Sequence, residues 1–377
     1  MWVLHPSVLH FRLFYYWWEN IYRSTKIPKD TMKRFTALLL DSTKHIRCEL
    51  GEAPICVKGG KRIVWVDVMS SMLYVYDENK KVREHCLKEK TKYVSTVVPT
   101  DLDGDTFLLG TKEGFGLYNI ATKTFQEHPC NPIHNMDRIA KGSEARMNDG
   151  KVDPTGCLWA GSLVRNLSTS DLVSKAAALY VLKGWSKESP PERVLTGITC
   201  SNGIAWTTPT VKKNGTKMYY TDSPTFAIDV FDFEKSSPAA IARTRKPCVK
   251  VSDSFPPVAD GLVVDREGFI WAAHFGAGCV KRYDPSTGKA VATIDLPTQA
   301  GDQTTAVAWG GPNYSDLFIT TAHEFWSEEK KKEFPLAGRL FHVPEKNMRE
   351  LCGYEVGKDC ASKRAIGVEP FKFRACI

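Results

Sequence analysis

The chain has 377 residues, of which 42% are apolar and 25% charged, and this balance excludes an intrinsically disordered protein. The formal net charge is +8, from 51 Lys and Arg against 43 Asp and Glu, and the basic residues are scattered, so a nucleic-acid partner is not expected. The eleven cysteines form no C-x-x-C pair, which argues against zinc-knuckle and thioredoxin-like sites. Because their number is odd and their spacing irregular, we expect free thiols in a reducing, cytoplasmic compartment.

The first 40 residues are interpreted as an N-terminal extension of uncertain order, followed by one domain over residues 41–377. The aromatic-rich start is interrupted by His5, His10 and Arg12, so neither a signal peptide nor a bilayer span is predicted. Contact with a membrane surface is less favoured than a dispensable extension outside the fold.

A repeated unit follows, made of a Gly or polar turn, a short apolar strand, a loop and a second apolar strand that often ends in Asp. Periods of about 40–50 residues with several short strands are the signature of propeller blades. The six copies therefore predict an all-β fold, a six-bladed β-propeller, because a long array of β-sandwiches would not need this spacing. The copies recur at steps of 43, 51, 60, 52 and 47 residues when they are aligned on Trp65, Leu108, Trp159, Tyr219, Trp271 and Phe318.

Polar segments precede apolar strands at the same place in four of these repeats. The innermost strands of a propeller line a central channel, so polar residues from distant parts of the chain converge there. Asn-Gly and Asp-Gly pairs are also ordinary turn pairs, and for any one segment that interpretation stays open. Four at equivalent places favour a shared site in the channel. The segments are Leu50–Pro54, Arg146–Gly150, Ser201–Trp206 and Val258–Leu262.

Glu52, Asn202 and Asp260 offer two carboxylates and an amide carbonyl to a metal ion. Oxygen ligands suit Ca²⁺, Mg²⁺ or Mn²⁺, with Zn²⁺ also open, and so few protein ligands leave positions for water and substrate. We therefore predict one divalent metal ion in the central channel. Arg146 and Asn148 are the candidate substrate-binding residues, as donors to hydroxyl groups or to a developing oxyanion.

The same segments resemble, in this order, the motifs of the family of senescence marker protein (regucalcin), gluconolactonase and luciferin-regenerating enzyme. The similarity runs from residue 49 to residue 323 and is most specific over residues 146–156. The matching motifs read E-A-P from Glu52, R-M-N-D-G-K-V-D-P-T-G from Arg146, S-N-G-I-A-W from Ser201 and A-D-G-L-V-V-D-R-E-G from Ala259.

The resemblance implies a six-bladed fold, a metal ion held by Glu52, Asn202 and Asp260, and a substrate placed against Arg146 and Asn148. It also implies metal-dependent hydrolysis of an aldonolactone such as gluconolactone, a small-molecule substrate. Two alternatives stay open, which are a calcium-binding regulatory protein without turnover and a specialised hydrolase of the luciferin-regenerating type. No oligomeric state is predicted.

The chain departs from the family pattern at two places near the expected site. In the regucalcin branch an acidic residue that contacts substrate follows the R-x-N-D-G strand, whereas Leu163–Asn166 contains no acid, so sugar selectivity is expected to differ. His274 stands where many members carry an Asn-Gly pair, and we interpret it as a packed or loop histidine, with a proton-transfer role in the channel as the alternative. The first 40 residues and the basic tail after Lys358 match no part of the family pattern.

Asp260 is predicted to be the general base of the reaction, with the metal ion polarising the lactone carbonyl and activating a water molecule. A carboxylate beside a cation has a depressed pKa, which weakens it as a base, so the metal-activated water is expected to share this role. Serine-based hydrolysis is not expected, because no G-x-S-x-G motif occurs.

Overall fold

The computed structural model describes residues 32–133, 141–207, 215–233, 237–353 and 365–375. It consists mostly of β-strands in six separate sheets, five of four strands and one of five. The sheets are arranged as the blades of a β-propeller, and the strands run consecutively from the innermost to the outermost position of each blade. The six-bladed prediction is confirmed.

The first three blades are built from contiguous stretches of chain. Blade 1 comprises β3 (Gly51–Val57), β4 (Arg62–Asp67), β5 (Met72–Tyr76) and β6 (Val82–Cys86). Blade 2 comprises β7 (Thr96–Pro99), β8 (Thr106–Gly110), β9 (Phe115–Asn119) and β10 (Phe125–Glu127). Blade 3 comprises β11 (Ser143–Val152), β12 (Leu158–Asn166), β13 (Ala177–Leu182) and β14 (Glu192–Ile198).

The other three blades follow in chain order. Blade 4 comprises β15 (Ser201–Trp206), β16 (Lys217–Asp222), β17 (Ala227–Asp232) and β18 (Lys246–Lys250). Blade 5 contains β19 (Val258–Val264), β20 (Ile270–Phe275), β21 (Cys279–Asp284) and β22 (Lys289–Asp295). Blade 6 contains β23 (Thr304–Gly310), β24 (Asp316–Thr321) and β25 (Phe341–Val343). The short helices are α1 (Pro238–Ala242), α2 (Glu328–Glu333) and α3 (Glu345–Cys352).

Two strands from the start of the described chain complete blades 5 and 6. The strand β1 (Lys33–Thr36) pairs in parallel with β22, and β2 (Leu38–Leu39) pairs antiparallel with β25. Blade 6 therefore combines three late strands with one early strand, which joins the two ends of the ring. Residues 33–39 of the predicted extension contribute strands to two blades, whereas residues 1–31 lie outside the described residues.

The core lies between neighbouring blades, where apolar faces of adjacent sheets meet. Trp65, Trp159 and Trp271, three of the residues that aligned the repeats, are almost completely buried there. Burying one large apolar side chain stabilises the fold by roughly 1.5–3 kcal/mol. Two of these indoles are also fixed by hydrogen bonds, because Trp159 Nε1 donates to Asp153 Oδ2 at 2.8 Å and Trp271 Nε1 to Asp265 Oδ2 at 3.0 Å.

The C-terminal segment 365–375 crosses the far end of the central channel, where the innermost strands finish. It is bound to blade 6 through Gly367 N–H, which donates to Tyr314 O at 2.8 Å, and to blade 2 through Phe373 N–H, which donates to Pro99 O at 2.9 Å. Between these anchors, residues 368–371 cover a cavity of about 70 Å³ whose other walls are innermost strands. The tail that matched no part of the family pattern thus covers one opening of the channel.

None of the helices in the described ranges is long and apolar enough to cross a membrane. Nine cysteines fall in these ranges, and all nine are free thiols.

Candidate functional site

Five of the six innermost strands shift register against their neighbours at the same level of the channel. A β-bulge of this kind inserts extra residues into one strand and changes the direction of its side chains. Four of the five predicted site residues lie at these shifts, and the fifth, Arg146, lies just before one. All five are on strands and not in turns, so the turn interpretation of the Asn-Gly and Asp-Gly pairs is wrong. In the sixth innermost strand, β7, the register is continuous. The shifts lie between Glu52 and Ile55, Met147 and Gly150, Ser201 and Ile204, Ala259 and Leu262, and Thr304 and Val307.

Glycine follows two of the proposed ligands because the innermost strands approach one another closely at this level. A Cβ atom on Gly203 would lie 2.3 Å from the carbonyl oxygen of Asp260, and one on Gly261 would lie 2.5 Å from Ala306 Cβ. Both distances are shorter than van der Waals contact allows. The second residue of each Asn-Gly or Asp-Gly pair is therefore required by packing around the channel.

A chain of hydrogen bonds orients the Asn202 amide across blades 3, 4 and 5. Arg146 Nη1 donates to Asn148 Oδ1 at 2.6 Å, and Asn148 Nδ2 donates to Asn202 Oδ1 at 3.2 Å. Asn202 Nδ2 donates to Ser223 Oγ at 2.9 Å, and that hydroxyl donates to Ala259 O at 2.8 Å. Because the Asn202 nitrogen faces Ser223, its carbonyl oxygen faces the side of the site that Asn148 occupies.

The carboxyl groups of Glu52 and Asp260 are close enough to perturb one another. Burial and then the negative charge of Asp149 raise the pKa of Glu52 to about 8. Burial and then the charge of Glu52 raise the pKa of Asp260 well above its ordinary value. Asp260 Oδ1 is buried and has no hydrogen-bond partner among the residues that the structure describes. Two buried carboxylates that repel each other, one with an unpartnered oxygen, form an arrangement that a cation would stabilise.

The donor set fits a hard divalent cation, since it consists of carboxylate and amide oxygens on three different blades. Within the described ranges, no three His, Cys, Asp or Glu side chains gather in a metal-binding cluster. The third oxygen of the predicted set belongs to the amide of Asn202, which is not one of those residue types. The metal ion itself stays a prediction.

Two further charged side chains lie at the edge of the site. Glu324, which follows blade 6 strand β24, is only 5% exposed, and burial raises its pKa. Its Oε2 atom lies 3.5 Å from Nη2 of Arg165, at the end of β12. The aromatic ring of Phe325 stacks against the same guanidinium, with 5.2 Å between Arg165 Cζ and the ring centroid. Blades 3 and 6 thus meet across the mouth of the channel.

Residues 50–323 match the sequence profile of the SMP-30/Gluconolactonase/LRE-like region. The chain belongs to this family.

Named relatives of this SMP-30/gluconolactonase family align along most of the chain. Regucalcin of Homo sapiens is 29% identical over 319 residues, which cover 83% of this chain and 98% of the relative. YvrE of Bacillus subtilis, provisionally named a sugar lactone lactonase, is 28% identical over 303 residues, which cover 78% of this chain and 91% of the relative. The crystal structure of a calcium-binding protein, regucalcin from Agrobacterium tumefaciens, superposes with a TM-score of 0.67 at 23% identity and covers 83% of this chain and 95% of its own.

In this family member the structure brings all five predicted site residues to one end of the channel. Arg146, Asn148 and Asn202 are joined by hydrogen bonds, and Glu52 and Asp260 are coupled by charge. Both Asn148 Nδ2 contacts go to blade 4, one to Asn202 and one to Ser201 O at 2.7 Å. The Asn148 amide nitrogen thus faces the Asn202 carbonyl, and the role of Asn148 in substrate binding stays a prediction.

Sequence reasoning did not single out Asp149, Arg165 or Glu324 as parts of the site. Asp149 stands inside the R-M-N-D-G motif directly after Asn148, and that adjacency is the signal that could have indicated a further acid in the site. Arg165 was noted only as part of a stretch without an acid. Glu324 lies beyond the last aligned motif, so only the closure of the ring places it beside Arg165.

His274 is fully buried on β20, where Tyr283 shares a hydrogen bond of 2.9 Å with its Nε2 atom. The two rings stack with their centroids 5.8 Å apart. Burial lowers the pKa of His274 to about 3, so it is neutral at physiological pH. The geometry supports the interpretation as a packed histidine and gives no support to a proton-transfer role in the channel.

Proposed function

We propose that this protein hydrolyses a sugar-type lactone with the help of one divalent metal ion held by Glu52, Asn202 and Asp260. The observation that carries the proposal is the convergence of two mutually repelling buried carboxylates and an oriented amide oxygen at one end of the channel. Family membership supports the reaction class, since one relative is provisionally named a sugar lactone lactonase.

A divalent ion, when bound, would supply Lewis acidity that polarises the ester carbonyl of the lactone. Asp260 is the proposed general base, because its unpartnered Oδ1 can accept a proton from the attacking water. The water oxygen forms a bond to the carbonyl carbon, and the ring carbon–oxygen bond then breaks. The proton passes to the departing ring oxygen, so that the product is an open-chain hydroxy acid.

Arg146 is the proposed donor to the developing negative charge on the carbonyl oxygen. Arg146 is 5% exposed as a whole residue, and its guanidinium is fixed by donation from Nη1 to Met147 O at 3.0 Å and to Asn148 Oδ1. A donor that is already held in place costs little reorganisation when charge develops. Asn148 has a supporting role here, since its amide holds Asn202 in position.

The test uses metal-stripped protein to which Ca²⁺, Mg²⁺, Mn²⁺ or Zn²⁺ is restored singly, with glucono-, galactono- and gulonolactone as substrates. We expect turnover that requires a metal ion and that falls at least about 100-fold in Asp260→Asn, because both the base and a ligand are changed. Asp253→Asn is the matched control, since that exposed carboxylate lies seven residues earlier and outside the site. Saturable metal binding without turnover of any lactone would favour the calcium-binding alternative.

A further inference from the structure

Two guanidinium groups lie on the same face of blade 3 at the mouth of the channel. Arg146 pairs with Leu163 in the antiparallel register of β11 and β12, and Arg165 stands two residues farther along β12. Diagonal neighbours in such a ladder are about 7–8 Å apart, within reach of long side chains. Burial, and then the positive charge of Arg165, lower the pKa of Arg146, as expected for a buried cation beside a second one.

The carboxylates around these arginines are mostly engaged elsewhere. Glu144, directly opposite Arg165 in the register, forms an ion pair with Lys112. Among the described residues, no carboxylate lies within 4.0 Å of the Arg146 guanidinium. Glu324 is the carboxylate that is not engaged elsewhere. Its Oε2 atom lies 3.5 Å from Arg165 Nη2, which is too long for a strong hydrogen bond.

Glu49 and Asp67 are further acids near Glu324, and both carboxylate oxygens of Asp67 are occupied. Oδ2 accepts a hydrogen bond from Glu49 N–H at 3.0 Å, and Oδ1 accepts one from Leu50 N–H at 3.1 Å. This carboxylate is 2% exposed and fixed to the backbone, so it cannot turn toward the arginines. Glu52, whose charge also acts on Arg146, belongs to the proposed metal site. Among the described residues, Glu324 is therefore the one carboxylate within 4.0 Å of either guanidinium group.

From this arrangement we infer that Arg165, with the positive charge of Arg146 beside it, binds an anionic substituent of the substrate, so that the lactone carries a carboxylate in addition to its ring ester. The inference rests on the proposed lactone hydrolysis and specifies its substrate class. Guanidinium groups bind carboxylates through paired hydrogen bonds, and Arg165 can make them because its side chain is 27% exposed. The stacked ring of Phe325 restricts the guanidinium plane, and donation from Nη1 to Ser170 O at 2.9 Å fixes one corner of it, which leaves the Nε and Nη2 edge for the anion.

The experiment compares two matched lactones, D-glucono-1,4-lactone and D-glucaro-1,4-lactone, which differ in a CH₂OH group against a carboxylate. Both kcat/KM and the equilibrium Kd are measured with the metal-loaded protein, so that binding is recorded even if turnover is absent. The variants are Arg165→Gln and Arg165→Lys. Arg193→Gln is the matched control, since this exposed arginine lies on the outermost strand of the same blade.

We expect the wild-type protein and Arg193→Gln to prefer the anionic lactone, and Arg165→Gln to reduce that preference at least about tenfold, as for loss of a charged hydrogen bond. Arg165→Lys should restore part of the preference, which a purely structural role would not require. An equal preference in wild-type and Arg165→Gln, with both proteins folded by circular dichroism, would overturn the inference. Absence of turnover with every metal ion would instead overturn the proposed function, and the Kd ratio would still decide whether the mouth selects an anion.

Discussion

At the scale of single residues, the carboxyl groups of Glu52 and Asp260 destabilise the fold when no metal ion is bound. Both carboxyl groups are buried within reach of each other's charge, and each therefore has a raised pKa. An acid whose pKa is higher in the folded than in the unfolded state destabilises the fold at pH values above its ordinary pKa. A bound cation would reverse that effect, because it favours the ionised forms.

Replacing Asp260 by Asn should therefore stabilise the metal-free protein while abolishing its activity. We expect the melting temperature of metal-stripped protein at pH 8 to rise by about 1–2 °C, equivalent to roughly 1 kcal/mol for a chain of this size. Added divalent metal should raise the melting temperature of the wild type and leave that of the variant unchanged. Differential scanning calorimetry measures both, and a lower melting temperature in the metal-free variant would contradict the charge-repulsion argument.

Asn148 offers a way to separate support of the metal site from contact with substrate. Asn148→Ala removes the hydrogen bonds to Asn202 Oδ1 and Ser201 O, so the Asn202 carbonyl loses its orientation. Loss of a group that orients a metal ligand costs about 10–100-fold in metal affinity. Titration with the metal that best supports turnover gives the affinity. A normal metal Kd combined with a raised KM would assign Asn148 to the substrate instead.

His274 should make stability depend on pH on the acid side of neutrality. Its pKa is about 3 in the folded protein against an ordinary value of 6.5, so the unfolded state binds the proton more readily between these values. Its contribution to stability is complete above pH 6.5 and is lost as the pH falls toward 3. Between pH 7 and pH 5 the contribution of His274 to the free energy of unfolding falls by about 2 kcal/mol.

Urea unfolding of wild-type protein and His274→Gln at pH 7 and pH 5 tests this expectation. Glutamine can keep a hydrogen bond to the Tyr283 hydroxyl but does not titrate, so the variant should lose about 2 kcal/mol less between the two pH values. Equal losses of unfolding free energy in the two proteins would show that groups other than His274 determine how stability falls between pH 7 and pH 5.

At the scale of elements, the register shifts of the innermost strands explain why two of the predicted metal ligands, Asn202 and Asp260, are each followed by a residue in close contact with the neighbouring strand. The bulge that displaces Asn202 or Asp260 also brings the following glycine against the neighbouring strand. Gly203 is the clearest case, since the Asp260 carbonyl occupies the position of a side chain there.

Gly203→Ala should therefore destabilise the protein and disturb the metal site at the same time. We expect a loss of roughly 2–4 kcal/mol, because the new methyl group meets backbone that cannot move independently. Gly184→Ala is the matched control, since the nearest atom to its added methyl group is the flexible Ser189 hydroxyl at 3.3 Å. Chemical denaturation of the two variants gives the difference, and equal losses would refute the close-approach argument.

The sequence allowed the blades and the positions of the polar segments to be predicted, because repeat spacing and strand patterning are local properties. From the sequence alone, the Asn-Gly and Asp-Gly pairs could be either turns or parts of a metal site. The structure places both pairs on bulged strands. A bulge depends on the register of two strands, which no single segment encodes. The place of Glu324 beside Arg165 depends on closure of the ring, which sets blades 3 and 6 opposite each other across the channel mouth. The covering tail depends on contacts between residues far apart in the chain.

At the scale of the whole molecule, the ring is closed by strands from the beginning of the described chain. Without β1 and β2, blade 6 would keep three strands, and the outer edges of two blades would lose their partners. Unpaired strand edges favour aggregation.

Deletion of residues 1–40 should thus lower the melting temperature by at least about 10 °C relative to deletion of residues 1–31, which retains both strands. Thermal scans of the two proteins, with light scattering as a measure of aggregation, provide the comparison. Equal melting temperatures would mean that the early strands are not needed to hold the ring closed.

The C-terminal tail that covers the far end of the channel has a kinetic consequence. Among the described residues, residues 368–371 stand over that opening, so reactant and product of the proposed reaction would both use the opposite mouth. In that reaction a hydroxy acid held beneath the arginines would block the next lactone, and the product would act as a competitive inhibitor. The tail would thereby make departure of the product, as much as hydrolysis, a determinant of the turnover rate.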